Sequence, residues 1–210
     1  MAKSKLGAAD FRLRKAAPAD GPVLAELLNA AGEGLPLHLW SLMAGPGEDP
    51  MAVGARRAAG TEGGFSHRHA HVAMVDERVA GMLLGYPLPD PCDTSGLAAA
   101  PPVVRPLLEL EARAPGSWYV NAVAALPQFR GRGVGTFLMN IAEFLARAAG
   151  APATSLVVAE DNAGAMRLYQ RLGYEVLDRR PVARFPGCHH TGDWLLMCKN
   201  LRRPATDGAG

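Results

Sequence analysis

The chain is poor in cysteine, lysine, aromatic residues and net charge, and each shortage removes a class of protein. It has three cysteines, Cys92, Cys188 and Cys198, with no C-x-x-C spacing among them. A disulfide framework and a zinc knuckle are therefore not expected. The formal net charge is only +2, without the basic stripe that a nucleic-acid partner calls for. Of the 22 basic residues, 18 are Arg and 4 are Lys, a bias that reads as codon usage rather than function. No apolar run reaches the ~18 residues of a membrane span. Met1–Asp10 has two lysines but no apolar core, so it does not read as a secretory signal. A soluble cytoplasmic protein is the expectation.

Small residues are what the chain has in quantity. Alanine alone numbers 37 of the 210 residues. Gly (24) and Pro (17) together stay below the ~25–30% of low-complexity chains, so a packed globule is expected. One domain is expected over residues 10–202, with flexible tails over 1–9 and 203–210.

Phe11–Ala16 alternates as a strand. Asp20 stands at the N-cap position before Pro22, and Val23, Leu24, Leu27 and Leu28 give the first helix its stripe. Gly32–Trp40 reads as an apolar loop carrying ionisable groups. Asp49–Ala59 reads as a short helix. His69–Val75 and Arg78–Tyr86 form a hairpin, and Pro87–Pro102 a Pro-rich connection. Val103–Arg113 is helical. Trp118–Leu126 is a strand, and a helix then runs to Ala149 on the stripe Val134, Phe137, Leu138, Ile141, Leu145 and Ala148. Thr154–Val158 is a buried strand, Asn162–Leu172 a helix, and Tyr174–Leu177 and Trp194–Cys198 the last strands. The order β-α-α-β-β-α-β-α-β-α-β-β describes an α+β sandwich, helices covering a mostly antiparallel sheet.

The segment with chemistry in it is Leu126-Pro-Gln-Phe-Arg-Gly-Arg-Gly-Val-Gly135, placed after a strand and before an amphipathic helix. Gly131, Gly133 and Gly135 leave the backbone bare, and the helix adds its unpaired N–H groups and the positive end of its dipole. Arg130 and Arg132 add fixed charge. A pyrophosphate suits such a loop. The Walker pattern is missing its G-K-[S/T], and the Rossmann spacing fails because Thr136 stands where the third glycine belongs.

Arg130-x-x-Gly133-x-Gly135 resembles the pyrophosphate loop of the GNAT N-acetyltransferase superfamily. A second stretch, Asn162-Ala-Gly-Ala-Met-Arg-Leu-Tyr-Gln-Arg-Leu-Gly-Tyr174, is similar to that superfamily's N-x-x-A-x-x-x-Y-x-x-x-G-[F/Y] signature. The matching region runs from about Trp118 to Tyr174. The resemblance implies an α/β/α sandwich with splayed central strands and acetyl-CoA as co-substrate. It implies that backbone groups of Val123, Ala124 and Ala125 hold the thioester and pantetheine arm, and that N–H groups from Arg130 through Gly131, Arg132, Gly133, Val134 and Gly135 to Thr136 hold the pyrophosphate. Asn162 would touch the pantetheine arm, cap its helix, or both. Tyr169 would act as the general acid toward the departing thiolate, against the plainer reading of a half-buried tyrosine.

The reaction so implied is direct attack of a neutral primary amine, from a small molecule, an amino acid or a peptide N-terminus, with a strand N–H near Val123 or Ala125 stabilising the oxyanion. The base is open between Glu33 and Glu111, with Glu109 third. Leu35, Leu37, Trp40, Trp118 and Tyr119 are candidate acceptor walls, with core packing as the competing role for each. His67, His69 and His71 alternate as if on one strand face, but no fourth ligand is evident and no metal is assigned. His189-His190 reads as a loop feature. Trp194–Leu201 is a candidate pairing strand for a homodimer. The competing function is a non-catalytic acyl-CoA-binding or regulatory module.

Overall fold

The computed structural model describes residues 11–201, so the expected tails lie outside the described residues. The strands are β1 (Arg12–Lys15), β2 (Ala70–Val75), β3 (Arg78–Pro87), β4 (Trp118–Ala125), β5 (Ala153–Ala159), β6 (Glu175–Pro181) and β7 (Asp193–Asn200). The helices are α1 (Gly21–Ala31), α2 (Leu35–Ser41), α3 (Pro50–Ala59), α4 (Arg105–Glu111), α5 (Val134–Ala148) and α6 (Ala163–Arg171). The strands form one seven-stranded sheet in the order β1-β2-β3-β4-β5-β7-β6. Every neighbouring pair is antiparallel except β4 and β5.

Residue alternation assigns the helices to two faces. On β5 and β7, Leu156, Val158, Leu195 and Met197 join the large core that also holds Leu138 and Ala142 of α5. The residues between them, Ala159, Trp194 and Leu196, pack with Leu110 of α4 and Tyr119 of β4. Successive strand residues point to opposite faces, so α4 and α5 stand on opposite sides of the sheet. This is the α/β/α arrangement expected from the sequence.

Three local readings change. Gly32–Trp40 is not a loop throughout: Leu35–Ser41 is α2, with Pro36 in the first turn, where its missing N–H costs nothing. Its Trp40 is buried against Gly54 of α3, where an added Cβ would come within 2.6 Å of the ring. Asp20 precedes α1 but does not cap it with its side chain. The carboxylate instead takes two hydrogen bonds from Arg14 and one from the Ala17 N–H, which hold it below the usual carboxylate range. The expected pairing strand is an interior one, because β7 has β5 on one side and β6 on the other. Its backbone is satisfied within the sheet, so it offers no edge to a second copy.

Two helix ends fix the elements that follow. α5 ends at Gly150, where the Ala151 N–H bonds back to the Ala146 carbonyl. α6 ends the same way at Gly173, with φ +85°, and the Tyr174 N–H bonds back to the Tyr169 carbonyl. Only glycine takes that left-handed position without strain. The bond ties the backbone of Tyr169 to the start of β6.

Candidate active site

The central strands part. β4 and β5 are paired only at Trp118–Thr154, Tyr119–Ser155 and Val120–Leu156. Opposite this point β4 carries a bulge at Asn121, because the register with β3 steps from Leu84–Ala122 to Gly85–Val120. A bulge bends its strand and ends pairing locally. Beyond it, Val123, Ala124 and Ala125 on one side and Val157 and Val158 on the other line a cavity of about 830 Å³. The Leu126 N–H is bound to the Ala80 carbonyl of β3. In an antiparallel ladder, bonded residues alternate, so the N–H groups of Val123 and Ala125 face away from β3, into the gap. The Ala125 carbonyl there accepts a bond from Arg130 Nε at 3.2 Å.

At one end of the gap stands the N-terminus of α5. Gly131 and Gly133 have φ of +71° and +91°, and a Cβ on either would meet no protein atom. Gly133 occupies the N-cap position and so offers no side-chain cap, and the first turn of the helix holds no acid. Val134, Gly135 and Thr136 therefore present free donors to the cavity they line, at the positive end of a 15-residue helix. Gly135 serves another purpose. It lies against Leu168 of α6, and a Cβ would sit 3.0 Å from its Cδ2. Of the two loop arginines only Arg130 lines the cavity, while Arg132 lies over the Phe129 ring at 5.7 Å. Two other arginines of the lining escaped the sequence reading. Arg167 and Arg171 of α6 reach the cavity, and Arg171 Nη2 bonds Thr136 Oγ1 at 3.2 Å. Their spacing of four on a helix after the signature asparagine is the signal that marks them.

Along the gap lie Tyr169, Asn162 and Glu33. Tyr169 is 7% exposed and lines the cavity, and among the described residues nothing bonds its hydroxyl. Burial, and second the charge of Glu33, push its phenol well above the ordinary tyrosine range, so it holds its proton. Asn162 caps α6, with its Oδ1 accepting from the Ala165 N–H at 3.0 Å. Its Nδ2 donates to Glu33 Oε1 at 2.5 Å. Glu33 is a non-glycine residue at φ +52°, held between α1 and α2. Such a left-handed position costs about 1–3 kcal/mol and survives only where the surroundings fix it. Here the end of α1 fixes it: the Gly34 N–H bonds back to the Asn29 carbonyl at 3.1 Å, as at Gly150 and Gly173. The side chain meets a partner not visible in the sequence: His190, between β6 and β7, approaches Glu33 Oε2 with its Nε2 at 2.7 Å and Asp161 Oδ1 with its Nδ1 at 2.5 Å.

The two expected carboxylates part company. Glu33 lines the main cavity; Glu111 lines a separate one of about 270 Å³ with Leu88, Cys92 and Leu108. Burial pushes the Glu111 carboxyl up to about 7. Glu109 bonds Arg180 at 3.0 Å. None of the five candidate acceptor walls lines the main cavity. Leu35, Trp40, Trp118 and Tyr119 are core residues, and Leu37 lies on the surface. Trp118 is there to cover Gly85. Among the walls that are present are Ala30, Ala31 and Trp194. His67, His69 and His71 do not share a strand face either. Ser66 caps a 3-10 turn over His67–His69, which leaves only His71 on β2. Among the described residues no His, Cys, Asp and Glu side chains are grouped to hold a metal ion, and none of their helices is long and apolar enough to cross a membrane.

A split sheet with a helix N-terminus free of a side-chain cap at one end of the gap and a buried tyrosine along it makes a cleft shaped for an anionic ligand with an extended arm. Comparison with known proteins names the family. The profile of the Acetyltransferase (GNAT) family matches residues 42–174, and the chain belongs to that family. An uncharacterized N-acetyltransferase of Methanocaldococcus jannaschii is 47% identical over 82 residues, 39% of this chain and 31% of that protein. The chain thus matches about a third of this relative's length. A polyamine N-acetyltransferase of Drosophila melanogaster has the same fold, with a TM-score of 0.62 at 18% identity over 91% of this chain and 100% of the other. So does a Salmonella typhimurium protein solved with its cofactor acetyl-CoA, at a TM-score of 0.57 and 20% identity over 96% and 99% of the two chains.

Proposed function

We propose that the protein is an acetyl-CoA-dependent N-acetyltransferase that moves an acetyl group to a primary amine by direct attack in a ternary complex. One observation carries the reading. A single cavity joins free helix N–H groups for an anion, a split in the sheet for an extended amide-bearing arm, a protonated phenol and a carboxylate. The donor, when bound, supplies the thioester carbonyl. N–H groups of Val134 to Thr136, with Arg130, Arg167 and Arg171, hold its pyrophosphate, and Gly131, Gly133 and Ala124 keep bare backbone beside it. The N–H of Val123 or Ala125 faces the developing oxyanion. Glu33 is the base that takes a proton from the acceptor ammonium, which otherwise keeps it up to about pH 10. Tyr169 gives its proton to the leaving thiolate and is reprotonated by the second proton that the acceptor nitrogen sheds as the amide forms. Glu111 lies outside the cavity, which leaves Glu33 as the base of choice. The same reading places the protein in the cytoplasm, where Cys92, Cys188 and Cys198 stay free.

The test is CoA release with a panel of polyamines, amino acids and peptide N-termini. Tyr169→Phe and Glu33→Gln should each lower kcat by about 10²–10⁴-fold on the best acceptor while acetyl-CoA affinity stays within a fewfold. Acetyl-CoA binding with no turnover on any amine would make the chain a non-catalytic acyl-CoA-binding module.

A further inference from the structure

We propose that His190 and Asp161 are positioning residues for the reaction, a dyad that holds the Glu33 carboxylate in working orientation. The inference rests on the reading of Glu33 as base.

Three segments distant in sequence meet here. Glu33 comes from the α1–α2 connection, Asp161 from the turn between β5 and α6, and His190 from the β6–β7 connection. The imidazole is the buried member, at 7% exposure, between Glu33 at 27% and Asp161 at 42%. An ionised carboxylate only accepts hydrogen bonds, and a neutral imidazole has one N–H. With a carboxyl group against each ring nitrogen, both contacts are bonds only if two protons are shared among the three groups. The ring thus spans the two carboxyl groups, Nε2 against Glu33 and Nδ1 against Asp161. Asp161 thereby sets the ring's orientation, and the ring sets that of the Glu33 carboxylate.

With Oε2 bound to His190 and Oε1 to Asn162, the Glu33 carboxylate cannot rotate, and its remaining lone pairs are left for the acceptor. The loop that delivers His190 is itself anchored. Phe185 stacks on His38 of α2 with ring centres 5.4 Å apart, Cys188 bonds the His190 carbonyl, and Trp194 packs against the imidazole. Glu33 and Asp161 are the charged groups that bond the ring. Nearby Glu160 and Asp193 face Arg179 instead, and His189 is exposed.

The experiment compares His190→Ala, His190→Gln and Asp161→Asn with Glu33→Gln in the intact chain, on whichever amine the panel gives as best. Thermal melts and acetyl-CoA affinity serve as controls for folding. His190→Ala should lower kcat by about 10²-fold, the effect of a misplaced catalytic group, with acetyl-CoA affinity unchanged. It should also displace the alkaline-rising limb of the pH–rate profile, which a merely structural contact would leave in place. His190→Gln, whose amide can still donate to Glu33, should recover most of the rate. His190→Ala added to Glu33→Gln should cost almost nothing more, since both act through one carboxylate. If Glu33→Gln is slow but the His190 and Asp161 variants keep wild-type kcat and pH profile, the dyad is refuted and the base stands. If Glu33→Gln itself keeps the wild-type rate, the base reading has failed and the dyad falls with it. Equal losses in His190→Ala and His190→Gln with an unmoved pH profile would leave a folding contact, also against the proposal.

Discussion

Asn162 makes two bonds of different kinds, and replacing it with aspartate separates them. Its Oδ1 caps α6, and its Nδ2 donates to Glu33. Aspartate caps a helix as well as asparagine does, and its charge suits the helix N-terminus by about 0.3–1 kcal/mol. The α6 end of the bond should therefore survive Asn162→Asp. The Glu33 end is inverted. A charge-assisted bond worth about 1.5–3 kcal/mol is lost. Two carboxylate oxygens at the present 2.5 Å would repel by about 7 kcal/mol at an effective dielectric near 20, a ceiling that side-chain rotation and solvent lower. The expected net loss is about 2–4 kcal/mol at pH 8. As pH falls, one of the two facing carboxyls takes up a proton more readily in the folded state than in the unfolded chain. The variant's deficit should therefore shrink between pH 8 and pH 5. Asn162→Ala is the comparison: it loses the cap, about 1 kcal/mol, and the bond, but places no charge against Glu33, so its deficit should not shrink. Urea denaturation of the three proteins at both pH values reads this out. An Asn162→Asp deficit that is absent at pH 8, or the same at both, would show that the amide is not bonded to Glu33 in solution.

Two further outcomes follow from the same structure. Glu111 has a folded-state pKa of about 7 against an ordinary 4.5, so it costs stability only when ionised, from above pH 4.5 and fully above pH 7. Glu111→Gln should match the wild type at pH 4 and exceed it by up to about 3 kcal/mol at pH 9 in chemical denaturation, and an equal gain at both would refute burial as the cause. Gly133→Ala should lose about 1–2 kcal/mol because φ is +91°, whereas Gly135→Ala, at a helical position facing only the flexible end of Leu168, should stay within about 0.5 kcal/mol of the wild type. Equal melting temperatures for the two would contradict the backbone assignment.

The second half of the chain was legible because its signals are local. The strand, the glycine loop and the α5 stripe lie within about 30 residues of each other, and each is a statement about neighbours in sequence. The α6 signature reads the same way. The first half carried weaker patterns. Gly34 and Pro36 read as loop residues, yet one is the left-handed start of α2 and the other its first turn. The alternating histidines mimicked a strand because periodicity does not register that Ser66 turns the chain beneath them. Leu35, Leu37, Trp40, Trp118 and Tyr119 stand in or beside the segments where the resemblance implies an acceptor pocket, but a hydrophobic side chain there does not by itself distinguish a pocket wall from a core residue. His190 was out of reach altogether. Its partners are 157 and 29 residues away, and no spacing rule links a β6–β7 loop to the end of a distant helix.

The parting of β4 from β5 leaves this protein with an edge in the middle of its sheet. An ordinary edge faces solvent and is guarded by charge, proline or brevity. This one is internal, lined by alanine and valine. Its peptide groups can be completed only by something slender that brings amides of its own. An occupant of that kind would stand in for a missing strand, and its arrival would be the last act of folding as much as a binding event. Slowed amide exchange at Val123, Ala125 and Val157 on loading would record the seam being sewn shut.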